Sequence, residues 1–217
     1  MRTRNWCVGM FFILAVSLAD NLGCTRQPCD ANLYTRLNAK QAGLAAVAQL
    51  DANGDGKLDT NELDKCPGLK IAFSRLDAAG RGYVTAEDIS QRISQWQASR
   101  VGRVAITCIV LRNGTPLEGA CIRFVPEAFL GRDMSIATGD TNKGGVAVLS
   151  TPSIGGLAAP GVPPGFYRVE ITKVGVDIPA RYNTHTTLGV EVAPDIDELR
   201  KPLEFDLRCP IRNPENG

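Results

Sequence analysis

From Ala39 onward, apolar positions recur at a helical period: Leu44, Val47 and Leu50 share one face of an alanine-rich stretch. Pro67 to Leu76 predicts a second short helix, with Pro67 in its first turn and Leu69, Phe73 and Leu76 on one side. Ala86 to Trp96 predicts a third, carried by Ile89, Ile93 and Trp96. After about residue 101 the period changes. Val104–Leu111, Cys121–Val125, Val146–Leu149, Tyr167–Ile171, Leu188–Val192 and Leu203–Leu207 are β-rich runs, several alternating in polarity. Asn113-Gly114, Lys143-Gly144-Gly145, Pro163-Pro164-Gly165 and Pro179 separate them as turn signals, which predicts a β-sandwich of roughly seven strands. Residues 20–37 show no period and read as a linker; residues 210–217 read as a tail.

The first residues read as an export signal spanning 1–19. Arg2 and Arg4 precede an uncharged run from Trp6 to Leu18, too short to cross a ~30 Å hydrocarbon core. Ser17-Leu18-Ala19 offers small residues for cleavage, whereas Leu22-Gly23-Cys24 resembles the end of a lipobox in which Cys24 would be acylated. Both forms place the chain outside the cytoplasm, in the periplasm, the cell envelope or the medium. Cysteine usage agrees with export. Removal of the signal leaves Cys24, Cys29, Cys66, Cys108, Cys121 and Cys209, an even set compatible with disulfides, and no C-x-x-C pair suggests zinc or redox chemistry. A net charge of +1 gives no reason to expect nucleic acid as a partner, and a membrane only through a lipid on Cys24.

One segment carries recognisable chemistry. Asp51 to Glu62 is a twelve-residue loop that sets oxygen-bearing residues at alternate positions: Asp51, Asn53, Asp55, the Lys57 carbonyl, Asp59 and Glu62. Calcium takes six to eight oxygens at about 2.3–2.6 Å, so a short chain must wrap them round one point. Gly56 permits the sharp turn, Leu58 points inward, and Glu62 closes the shell with two oxygens. A second loop runs from Asp77 to Asp88. It keeps Gly82 and Val84 but has Ala79 and Arg81 in place of ligands and the shorter Asp88 at its end. It predicts a mate that lends Val84 to a bridge with Leu58 and binds no calcium.

These loops resemble the EF-hand family over residues 38–98. The resemblance implies calcium as the cofactor, held by Asp51, Asn53, Asp55, Lys57 through its backbone, Asp59 and Glu62. Asn113–Phe124, Gly139–Gly145 and Pro164–Val169 are similar to carboxypeptidase-regulatory-like and transthyretin-like β-sandwich domains. Ile178–Val192 resembles a stretch in exported proteins of planctomycete-type bacteria. The expected fold class is therefore multi-domain: a small all-α EF-hand pair over 38–98, then an all-β Ig-like or transthyretin-like sandwich over 101–209. The resemblance implies a non-enzymatic module, with an envelope protein or a carbohydrate as the partner class of the sandwich.

The rival expectation is an extracytoplasmic hydrolase with a carboxylate site in the β region, which needs two cooperating acids in a cleft. Glu170 and Glu191 instead read as single acids at solvent-facing parity. His185, the single histidine, sits in a threonine-rich loop and reads as exposed. Glu87, Asp88 and Arg92 on the third helix read as a solvated face.

Overall fold

Helix α1 (Ala39–Leu50) starts where Asn38 accepts the Gln41 N–H on its side chain, and it ends at Asp51, whose N–H donates to the Val47 carbonyl. Its buried face is Ala42, Gly43 and Ala46, while Leu44 is 49% exposed. The expected stripe through Leu44 is thus rotated. A Cβ on Gly43 would lie 2.2 Å from the Ala86 carbonyl oxygen, so small residues are required for α1 to reach the helix that starts there.

The computed structural model describes residues 37–152 and 158–208. The signal and its cleavage, Cys24, Cys29, Cys209, the tail and all but the last residue of the linker lie outside the described residues. After α1 come β1 (Lys57–Leu58), a single 3-10 turn (Glu62–Lys65), α2 (Pro67–Ile71), α3 (Phe73–Leu76), β2 (Val84–Thr85) and α4 (Ala86–Ser99). The β-rich part follows with β3 (Thr107–Arg112), β4 (Thr115–Pro116), β5 (Cys121–Pro126), β6 (Ala137–Asp140), β7 (Val146–Val148) and β8 (Ser150–Pro152). It ends with β9 (Ala158–Pro160), β10 (Gly165–Thr172), β11 (Gly189–Val192) and β12 (Leu203–Leu207).

This overturns the expected fold class. Among the described residues the chain is mostly β, with four short helices against twelve strands in three sheets, and no all-α EF-hand pair is present. The reason is local. Pro67 has no N–H to continue a helix out of Glu62–Lys65, and the chain breaks again at Ala72, so α2 and α3 stay at five and four residues. β1 and β2 also pair as a small antiparallel sheet, Lys57 opposite Thr85 and Leu58 opposite Val84.

The larger strands form two sheets. One runs β11-β10-β5-β6-β8-β9; the other runs β12-β3-β4, with β7 also on β3. All pairings between these strands are antiparallel except β12 with β3. Asn113 and Gly114, at φ 51° and 77°, make the tight turn between β3 and β4 that their dipeptide predicts. Six of the strands (β3, β5, β7, β10, β11, β12) overlap the β-rich runs of the sequence. The remainder (β4, β6, β8, β9) are two to four residues long and too short to show a period.

The helices and the two larger sheets share one apolar core. Trp96 of α4 meets Phe166 of β10 edge-on, ring centres 4.7 Å apart. α2 lies against β11 and β10 with backbone touching backbone. A Cβ on Gly189 would be 1.9 Å from the Pro67 carbonyl oxygen, and one on Gly68 would be 2.6 Å from the Tyr167 nitrogen. Only glycine at both positions permits that approach.

Candidate metal centre

The first loop is organised by its own side chains. Asp51 accepts the Gly54 N–H at 2.6 Å on one oxygen and the Gly56 N–H at 2.8 Å on the other. Asn53 accepts from Asp55 at 2.8 Å, Asp55 from Lys57 at 2.9 Å, and Asp59 from Asn61 at 2.8 Å and from Glu62 at 3.0 Å. Glu62 reaches back across the loop: Oε1 accepts the Ala52 N–H at 2.8 Å and Oε2 the Asp59 N–H at 3.1 Å. The last residue is thereby tied to the loop's second. Gly56 holds φ 76°, a value strained for any residue with a Cβ.

The donor set suits a hard cation. Each carboxylate oxygen that accepts one N–H keeps a further lone pair. The N–H of Gly56, foremost among several, holds the Asp51 carboxyl below its usual range, so it stays ionised. The Lys57 ammonium stands 4.5 Å from the centre of the Tyr83 ring, drawn to an aromatic face. Yet the oxygens are not gathered: among the described residues no three His, Cys, Asp or Glu side chains form a group able to hold a metal ion. The backbone turn is formed, and closing on an ion would require the side chains to converge.

The second loop differs at its centre. Asp77 accepts the Gly82 N–H at 2.7 Å, matching the bond from Gly56 to Asp51. Where the first loop has Asp55, the second has Arg81, whose Nε lies 3.3 Å from Asp77 and whose Nη2 lies 2.7 Å from Asp88. One guanidinium joins the loop's first and last residues. Asp88 also caps α4 by accepting the Thr85 N–H at 2.8 Å.

Several charged residues are placed elsewhere than the sequence reading put them. Glu191 is 2% exposed rather than solvent-facing, and accepts from Arg75 Nε at 2.7 Å and Arg92 Nε at 2.5 Å. Arg92, 8% exposed, is not on a solvated face and also pairs with Asp195 at 2.7 Å. This cluster pins α3 and α4 to β11. A signal existed: Arg92 sits three residues after Ile89 and four before Trp96, on the buried stripe of α4. Glu170 pairs with Arg123 and Arg168, 2.8 and 3.1 Å away. Glu127, unremarked in the sequence, is 4% exposed and accepts the Gly68 N–H at 2.8 Å. Burial pushes its carboxyl above the usual range. Cys66, Cys108 and Cys121 carry free thiols, so no disulfide joins them. His185 is exposed, as its loop predicts.

No family model, curated protein or solved structure matches the chain.

Proposed function

We propose that the chain is a calcium-binding exported or cell-envelope protein whose β-sandwich is a non-catalytic binding or structural module. Calcium is held in the first loop by Asp51, Asn53, Asp55, the Lys57 carbonyl, Asp59 and Glu62. The observation that carries this reading is the Glu62 carboxylate. It crosses the loop to the N–H of Ala52, the residue after Asp51, so the closing acid already reaches back to the start of the loop. The EF-hand resemblance thus rests on the loop rather than on the helices around it. Large and flexible oxygen shells select calcium over magnesium, which demands a near-ideal octahedron.

The export reading rests on the Arg2, Arg4 and Trp6–Leu18 pattern. The partner class of the sandwich, an envelope protein or a carbohydrate, rests on the resemblance of that region. The non-enzymatic reading draws support from how the acids are used. Clefts of about 470, 360 and 260 Å³ are lined by no carboxylate, by Asp88 alone and by Asp133 alone. Glu191 is bound to two arginines.

Titration calorimetry of the mature chain tests the calcium reading. The expected result is one calcium per chain with a dissociation constant of roughly 10⁻⁴–10⁻³ M, the range of extracellular modules. Glu62→Gln should abolish the heat at the same concentrations. No calcium uptake by the native chain, or uptake unchanged in Glu62→Gln, would sink the reading.

A further inference from the structure

The two loops are built alike at their ends and differ at their centres. Both anchor a leading aspartate to the N–H of the glycine five residues on, at 2.8 Å in the first and 2.7 Å in the second. In the second, the Arg81 N–H also donates to Asp77 at 2.9 Å, while its guanidinium spans from Asp77 to Asp88. A cation is therefore already present between the end carboxylates of the second loop, covalently attached.

We propose that Arg81 is a tethered cation that takes the place of a metal in the second loop and, through Tyr83 and the β1–β2 pair, positions the first loop for calcium. This inference rests on the calcium reading of that loop. Two physical connections carry it. The Tyr83 ring has the Arg81 guanidinium 5.0 Å from its centre and the Lys57 ammonium of the first loop 4.5 Å from it. The backbone register then sets Lys57 opposite Thr85 and Leu58 opposite Val84, and Leu58 and Val84 are fully buried. Thr85 is itself bonded to Asp88, the acid that grips Arg81. A shift of Arg81 is passed to Tyr83 directly and to Thr85 through Asp88, and Tyr83 and Thr85 are the residues that face Lys57, whose carbonyl is a candidate ligand. Asp77 is held below the usual carboxylate range, by the Arg81 N–H foremost, so the carboxylate stays charged for the guanidinium.

A merely obstructive arginine would keep a second calcium out and leave the first loop unaffected. The two roles separate in the full mature chain, measured by calcium titration and by amide hydrogen exchange in chelator. Arg81→Gln should weaken calcium binding roughly fivefold or more, the lower range of coupling between sites, with one calcium still bound. It should also speed exchange at Gly82 and Leu58 while Val169 in β10 is unchanged. Arg81→Lys keeps the charge but not the fork, and should recover part of the affinity. Should Arg81→Gln also speed exchange at Val169, Tyr83→Leu, which leaves the arginine's ion pairs in place, should lower affinity in the same direction. Unchanged affinity in Arg81→Gln, or a second calcium gained, overturns the proposal. So does unchanged affinity in Tyr83→Leu. If the native chain takes up no calcium, the proposed function falls, and the exchange measurement alone then judges Arg81: unchanged rates at Gly82 and Leu58 overturn it.

Discussion

Two groups of acids in this molecule are handled in opposite ways. In the first loop, Asp51, Asp55, Asp59 and Glu62 lie within twelve residues, at the surface, and are satisfied by backbone N–H groups of the same loop. In the cluster at β11, Glu191 and Asp195 take their partners from helices about a hundred residues away, and those partners are guanidinium groups. The first arrangement leaves lone pairs and net negative charge without a cationic partner inside the loop's hydrogen-bond network. The second is neutralised internally. Its physical consequence is cohesion: the cluster fastens α3 and α4 to β11 beside the Trp96–Phe166 contact. The second loop stands between these extremes, local like the first and neutralised by an arginine like the second.

The largest expected effect comes from breaking the buried cluster. Glu191→Gln leaves Arg92, 8% exposed, without its shortest partner. Losing one side of a buried ion pair costs about 3 kcal/mol, a large part of a typical domain's stability. Urea unfolding followed by far-ultraviolet dichroism and by tryptophan fluorescence should show one transition moved to lower urea, because the helices and the larger sheets share a core. Two separated transitions would show that the cluster does not join them. A loss under 1 kcal/mol would mean that Asp195 alone suffices to hold Arg92.

Glu62→Gln should do the reverse: lose calcium and leave the metal-free protein nearly as stable as the parent. Surface substitutions of this kind shift stability by about 0.5 kcal/mol or less. In the parent, calcium at tenfold excess over its dissociation constant adds about 1.4 kcal/mol. Thermal unfolding with calcium and with chelator measures both numbers. A parent whose midpoint ignores calcium would remove the contrast between the two groups of acids.

The contrast also explains what the sequence made legible. The turn of the first loop was legible because Gly56 and the acids that accept its backbone N–H groups follow one another at fixed spacing, so local order and spatial order coincide. Leu58 opposite Val84 was legible for the same reason, two aligned loops fixing one pair. The second helix was overread because a period in apolar residues says nothing about a backbone break such as the one at Ala72, which splits it into α2 and α3. Leu44 was misplaced because close approach of α1 to Ala86 selects Gly43 and Ala46, residues a hydrophobic pattern undervalues. Glu191 was misread because alternation in a strand assigns faces only when one face is wet, and β11 is covered by α2 and by the arginines.

The smallest expected effect concerns Glu127, a buried acid that is hydrogen-bonded by the Gly68 N–H and the Cys66 thiol rather than by a guanidinium. Burial raises its carboxyl above the ordinary value of 4.5, with Gly68 pulling the other way. A raised acid binds its proton more tightly in the folded chain than in the unfolded one. Its contribution to stability is therefore fully present below pH 4.5 and is lost as pH rises through the folded value. Glu127→Gln keeps an acceptor for the Gly68 N–H and cannot ionise. Relative to the parent it should gain stability between pH 4 and pH 7, and the gain should stop once the parent's carboxyl is fully ionised. Chemical unfolding at a series of pH values in chelator reads the difference without interference from calcium. A constant difference across that range would mean that Arg168, whose positive charge also acts on Glu127, cancels the penalty of burial. In that event the buried acid just past β5 would belong with Glu191 among the neutralised carboxylates rather than standing apart from both groups.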